Sequence, residues 1–127
     1  MPKIYAALDH RQTKHQSHLI EVEGMIHNQS ISILINSGAS HSYIDPMLVE
    51  RLRLEKCKHG LSWTVQWSWT VQLATGTRRK VSELVRSCPM DLNGMKTVAD
   101  LNVLPLGSYH VLIGMDWLES HQAILDC

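Results

Sequence analysis

Three consecutive polar or small residues, Asn36-Ser37-Gly38, close the β-branched run from Ile31 to Ile35 and lead into Ala39-Ser40. An amide, a hydroxyl and a glycine in that order place two hydrogen-bonding side chains on a turn whose backbone can be approached closely, because glycine has no Cβ. Taken alone, the triplet reads as a turn asparagine ahead of Ser-Gly. A neutral amide neither takes nor gives a proton at ordinary pH, so Asn36 cannot serve as a general base.

Other residues with chemical potential are less well placed. Cys57-Lys58-His59 offers two metal-ligating types within three residues, but no second pair at zinc spacing accompanies it, and a loop accounts for it. Trp63, Trp67 and Trp69 with Arg78, Arg79 and Lys80 nearby have the ingredients of a surface that stacks single-stranded nucleic acid. Strict alternation explains the tryptophans as core or dimer contact instead, and the three cations as a solvated turn, so no nucleic-acid partner is expected. Asp45 and Asp116 each stand at a helix start, where a carboxylate favours the positive end of the dipole.

Composition narrows the function classes. The chain has 127 residues, 44% hydrophobic and 19% charged, which fits one folded domain and argues against wholesale disorder. Twelve Lys plus Arg balance twelve Asp plus Glu, so no global field favours nucleic acid or an acidic membrane. No apolar run approaches the roughly 20 residues of a membrane span, and no signal-peptide core is evident at the N-terminus. Three cysteines, Cys57, Cys88 and Cys127, sit at unrelated spacings, so a disulfide framework is not expected and an intracellular, cytoplasmic setting is. No cofactor and no metal are expected. Asn28-Gln29-Ser30 matches a glycosylation acceptor but reads as a polar turn in that setting.

The elements that must position the triplet follow from periodicity. Residues 1–17, with His10 and His15, read as a polar arm, and the domain occupies 18–127. Leu19 to Ile26 is strand-like, His27 to Ser30 a turn, and Ile31 to Ile35 the returning strand of a hairpin that delivers the chain to Asn36. His41 to Ile44 reads as a strand. Asp45 as N-cap and Pro46 at the first helical position predict a helix, with Ile44 and Val49 as a hydrophobic staple and Leu48, Val49 and Leu52 as its buried stripe, ending near Leu54. From Leu61 to Leu73 apolar and polar residues alternate, and Ser62-Trp63-Thr64-Val65-Gln66 recurs as Ser68-Trp69-Thr70-Val71-Gln72. The even offset of six keeps every tryptophan on one face. Ala74-Thr75-Gly76-Thr77 is a tight turn and Val81 to Cys88 a returning strand. Asn93-Gly94 marks a hairpin between Met90-Asp91-Leu92 and Met95 to Val103. His110 to Ile113 is a buried strand, Met115 to Ser120 a short helix, and Ala123 to Asp126 a last strand. The expected class is mostly β, a compact closed barrel with one or two short helices.

In order, these elements are apolar strand, Asn-Ser-Gly-Ala, strand and helix, a hairpin tipped by Ala74 to Thr77, then Val111-Leu112-Ile113-Gly114-Met115-Asp116-Trp117-Leu118. The arrangement resembles the retropepsins, the one-lobe aspartic proteases of retroviruses and LTR retrotransposons. Ile113 to Leu118 with His121, Ala123 and Asp126-Cys127 is most similar to the gypsy-class branch. The resemblance implies a homodimer acting on an extended peptide or polyprotein, within its polyprotein or a virus-like particle, by a water held between two Asp at the twofold axis. It implies that Asn36 occupies the catalytic Asp position, that Ser37 bonds across the axis, and that Gly38 contacts substrate backbone. Ala39, Ser40 and Leu112 would line pockets, and Ala74, Thr75, Gly76 and Thr77 would form the closing flap.

Three departures qualify what the resemblance implies. Asn36 removes both carboxylates of a homodimeric dyad, so this chain is expected to be inactive as an endopeptidase. Ser40 and Met115 stand where retroviral relatives often carry an Asp and an Arg as an ion pair, so packing is expected to replace that support. The Trp duplication lengthens the strand leading to the flap. A non-catalytic dimeric peptide-binding module of the same fold is the alternative function.

Overall fold

The computed structural model describes residues 19–58, 69–72 and 78–121. The arm, the alternating residues 61–68, the flap tip from Ala74 to Thr77 and the last strand, Ala123 to Asp126, lie outside the described residues.

The chain opens with β1 (Leu19–Ile26) and β2 (Gln29–Asn36), antiparallel in continuous register from Leu19 opposite Asn36 to Ile26 opposite Gln29. Only two residues turn the corner: His27 (φ 51°) and Asn28 (φ 64°) both take the left-handed region, as a primed two-residue hairpin turn requires. The predicted four-residue turn is therefore shorter, because Gln29 and Ser30 already pair with Ile26 and Met25.

β3 (Tyr43–Ile44) and α1 (Pro46–Arg51) follow. Asp45 caps α1 as expected, accepting from the Met47 N–H at 3.0 Å, and its other oxygen accepts from the Leu106 N–H at 2.9 Å. The helix stops at Arg51, earlier than the predicted Leu54, where Arg53 (φ 54°) reverses the chain. β4 (Cys57–Lys58) leads to the hairpin β5 (Trp69–Gln72) and β6 (Arg78–Val81). The cations Arg78, Arg79 and Lys80 were expected in a turn. They are strand residues opposite Gln72, Val71 and Thr70, with their side chains exposed.

The predicted strand from Val81 breaks at Ser82, and β7 (Glu83–Leu92) runs on to the Asn93-Gly94 turn before β8 (Met95–Val103). A bulge between Val85 and Cys88 puts Ser87 at φ 50°, its N–H donating to Asp100 Oδ1 at 2.7 Å. β9 (Val111–Ile113) and α2 (Met115–Ser120) complete the described fold, with α2 spanning the residues expected.

The strands run in the order β1-β2-β9-β3-β8-β7, and β1 pairs back onto β7, so the sheet closes into a six-stranded barrel with β4 added beside β7. Closure is tight at Gly24, opposite Leu92: a Cβ there would collide with the Asp91 carbonyl and lie 2.5 Å from the Ile33 side chain. Strand alternation then sorts the apolar residues into two cores. Ile33, Ile35, Ile44, Val111 and Ile113 belong to the barrel cluster with Val85, Met90, Leu101 and Trp117. Their neighbours Leu34, Tyr43 and Leu112 belong to a second cluster with Val71 and Val81 of the β5–β6 hairpin.

Cys88 is 1% exposed in the barrel cluster, and burial pushes its thiol up to about 11. A raised value favours the neutral thiol in the folded state. Its contribution is complete below the unfolded value near 9 and disappears as pH rises toward 11. At pH 8 Cys88 should therefore resist a maleimide in the native protein while half-exposed Cys57 reacts, as peptide mapping would read. Labelling of Cys88 as fast as of Cys57 would contradict this burial.

Candidate active site

Asn36 is the last residue of β2, and the geometry around it follows from how three strands end. β2 runs parallel to β9, with Ile33, Leu34 and Ile35 opposite Val111, Leu112 and Ile113. β3 runs antiparallel to β9 on its other side. The segment from Ser37 to Ser42 must therefore arch over the end of β9, directly above Gly114. That crossing leaves no room for a side chain: a Cβ on Gly114 would collide with the His41 carbonyl oxygen and lie 2.8 Å from that of Ala39. Gly114→Ala should lower stability by roughly 1–3 kcal/mol through forced displacement of that arch. Urea denaturation would measure it, and an unchanged midpoint would mean that the arch is not tightly seated.

The arch is tied down by hydrogen bonds. The Met115 and Asp116 N–H groups donate to the Ala39 and Ser40 carbonyls at 2.7 and 3.1 Å. Ser42 Oγ donates to Asp116 Oδ1 at 2.6 Å and accepts from the Gly114 N–H at 3.0 Å, and the Ser42 N–H donates to Asp116 Oδ2 at 3.1 Å. Asp116 Oδ1 also accepts from the Trp117 N–H at 2.7 Å. The support expected from packing at Ser40 and Met115 is thus supplied by backbone and by Asp116, one residue further on. Its helix-start position was legible, but not its partner Ser42, because nothing in the spacing brings residues 42 and 116 together.

Further contacts hold β9 and α2 in place. The Ser32 N–H donates to His110 Nδ1 at 2.9 Å, and the His110 N–H to the Ser32 carbonyl at 3.0 Å, fixing the entry to β9 beside β2. Trp117 Nε1 donates to Thr97 Oγ1 at 3.1 Å, and the His121 ring stacks on Trp117 with centroids 4.2 Å apart.

Within the loop, Asn36 is fully buried in the chain. Its Oδ1 accepts from the Gly38 N–H at 2.8 Å, and the Ala39 N–H donates to the Asn36 carbonyl at 3.2 Å. Only an oxygen can accept from Gly38, so this bond fixes which end of the amide is which. Nδ2 is left buried with no partner, as is Ser40 Oγ in the same loop. A buried donor without an acceptor costs about 1–3 kcal/mol. Ala39 and Leu112, expected to line pockets, are 1% and 0% exposed and pack in the second cluster with Val71 and Val81. The structure thus brings Asn36, Gly38, Ala39 and Ser40 together at one loop, with Leu112 in the strand beneath it. Ala74, Thr75, Gly76 and Thr77 are outside the described residues. Among the described residues no group of three or more His, Cys, Asp or Glu could hold a metal ion.

A closed six-stranded barrel with a polar loop arched over a late Gly-helix start defines the retropepsin-like class of fold. The chain belongs to the retroviral aspartyl protease family, whose sequence profile matches residues 3–127. Among solved structures it is similar to the retroviral protease-like domain of Ddi1 from Leishmania major. That match has 19% identity and a TM-score of 0.57, and covers 82% of this chain and 78% of the other. No curated protein matches the chain. Among the described residues, no helix is long and apolar enough to cross a membrane.

Proposed function

We propose that this chain is the aspartic endopeptidase domain of a retrotransposon polyprotein, written with an amide at the catalytic position and silent in hydrolysis. The observation that carries this reading is Asn36 itself: it ends β2 at the crossing above Gly114, with Oδ1 held by the Gly38 N–H. In the acid form, two copies of the loop meet across a twofold axis. Two carboxylates that close share one proton, so one acts as base on the attacking water while the other acts as acid. Ser37 serves the contact across the axis, and Gly38 the substrate backbone. Ala39, Ser40 and Leu112 bound the pockets, and the turn from Ala74 to Thr77 closes over an extended peptide. With Asn36 in both copies, neither proton transfer is available.

A second reading is favoured by the same atom: an amide in place of the acid suits a dimeric module that binds a peptide without cutting it. Asn36→Asp separates the two. Peptidase activity on a casein substrate, blocked by pepstatin, supports the enzyme. An Asn36→Asp dimer that folds, binds pepstatin and cuts nothing supports the binding module. The setting proposed is intracellular, with the domain processed from its polyprotein inside a particle.

A further inference from the structure

The equal numbers of acids and bases conceal a segregation of charge along the chain. Between Leu19 and His121 there are nine Lys and Arg, and eight of them lie between Arg51 and Arg86, Lys96 being the exception. Of the ten Asp and Glu in the same span, only Glu55 and Glu83 fall within that stretch. The fold turns the stretch into adjoining elements: the end of α1, the edge strand β4, then β6 and the start of β7, onto which β4 pairs. Lys58, Arg78, Arg79, Lys80 and Arg86 are exposed there. Glu83 is engaged by Lys56 at 3.7 Å, and the Arg86 side chain lies beside Cys57. Cations gathered in this way repel one another, and their summed field attracts an anion with several charges.

We infer that this surface binds a single nucleic-acid strand, held by its phosphates without regard to base sequence. Protein partners and membranes are gripped through apolar or aromatic anchors as well as charge. The exposed large hydrophobics among the described residues, Leu19, Ile20, Met25, Met47 and Val98, all lie outside the stretch. A surface of cations without such anchors suits a backbone that is anionic at every unit, where binding is driven by release of condensed counterions. The β6 strand also separates a flexible strand from a duplex. Successive side chains alternate faces, so Arg78 and Lys80 stand on one side of the ribbon and Arg79 on the other. A duplex, stiff over about 50 nm, meets one side, whereas a single strand can bend to both. No residue of the Asn36 loop takes part.

The probe is a fluorescently labelled polyuridine 20-mer, titrated with the full chain and read by anisotropy at increasing NaCl. With about five phosphates engaged, affinity should fall on the order of 10²-fold between 50 and 200 mM salt. The triple variant Arg78→Gln, Arg79→Gln, Lys80→Gln, checked for folding by circular dichroism, should bind at least about tenfold more weakly at 50 mM and depend less steeply on salt. The double variant Lys58→Gln, Arg86→Gln carries the same expectation on neighbouring strands, and Lys96→Gln should change nothing. No binding at 50 mM, or equal binding by the folded triple and double variants, overturns the inference. Displacement of the RNA by an equal concentration of a 20-residue polyglutamate replaces the nucleic acid with an acidic polypeptide as the partner. A duplex of the same length that binds as tightly overturns the preference for a single strand.

Discussion

Asn36→Asp is expected to convert a chain without measurable peptidase activity into one that cuts an extended peptide. General acid–base catalysis alone contributes about 10² to 10⁴ in rate, and the charge that positions the attacking water is restored at the same time. The rise should therefore be at least about 10²-fold over this chain. The sign of the pH dependence follows from the pair. At low pH both carboxyls are protonated and no base remains; at high pH the shared proton is lost and no acid remains. The rate should pass through a maximum at mildly acidic pH and fall on both sides, whereas an amide pair has no such limbs. Assays from pH 3 to 8 with and without pepstatin check it. A folded, dimeric Asn36→Asp protein that remains inert at every pH would remove the enzyme reading. A conservative swap suffices because amide and acid are nearly the same shape, and the Gly38 N–H bond to Oδ1 serves either one.

The second large effect is expected at Asp116. Its carboxylate accepts from the Ser42 hydroxyl and N–H and from the Trp117 N–H, and it pins the start of α2 under the arch that carries Asn36. Asp116→Ala leaves three donors short of an acceptor at a partly buried site. With hydrogen bonds to charged groups worth about 1.5–3 kcal/mol each, stability should fall by at least about 3 kcal/mol. Asp116→Asn should fall less, since an oxygen at the Oδ1 position keeps the Ser42 hydroxyl and the Trp117 N–H while its NH2 faces only the Ser42 N–H. Urea midpoints of the two variants measure the difference. In the Asn36→Asp background, Asp116→Asn should also lower kcat/KM, because it shifts the arch that carries Gly38, Ala39 and Ser40 beside residue 36. Equal stabilities for Asp116→Ala and the parent would show that the loop is held by backbone bonds alone.

The failures of sequence reading have a common cause. Arg78, Arg79 and Lys80 look like a solvated turn because charge is the local signal, yet they pair with Gln72, Val71 and Thr70 and continue a strand. The helix after Asp45 carries its capping pattern openly, but its end is set by the reversal at Arg53, which no glycine announces. Asn93-Gly94 was legible as a hairpin because that turn type demands two left-handed residues. His27-Asn28 makes the same turn without the usual residues and was read two residues too long.

Local chemistry is written along the chain. The strands flanking Asn36, the Asp45-Pro46 helix start, the late Ile113-Gly114 pair and the amide at position 36 depend on neighbours a few residues away, and these the sequence determined by itself. The tertiary structure alone decided that the loop after Asn36 crosses above Gly114, that Ser42 meets Asp116, and that one face of β2 and β9 belongs to a second core beneath the β5–β6 hairpin. The Ser42–Asp116 contact joins residues 74 positions apart. Parallel pairing of β2 with β9 brings them together, and no periodicity within either segment encodes it.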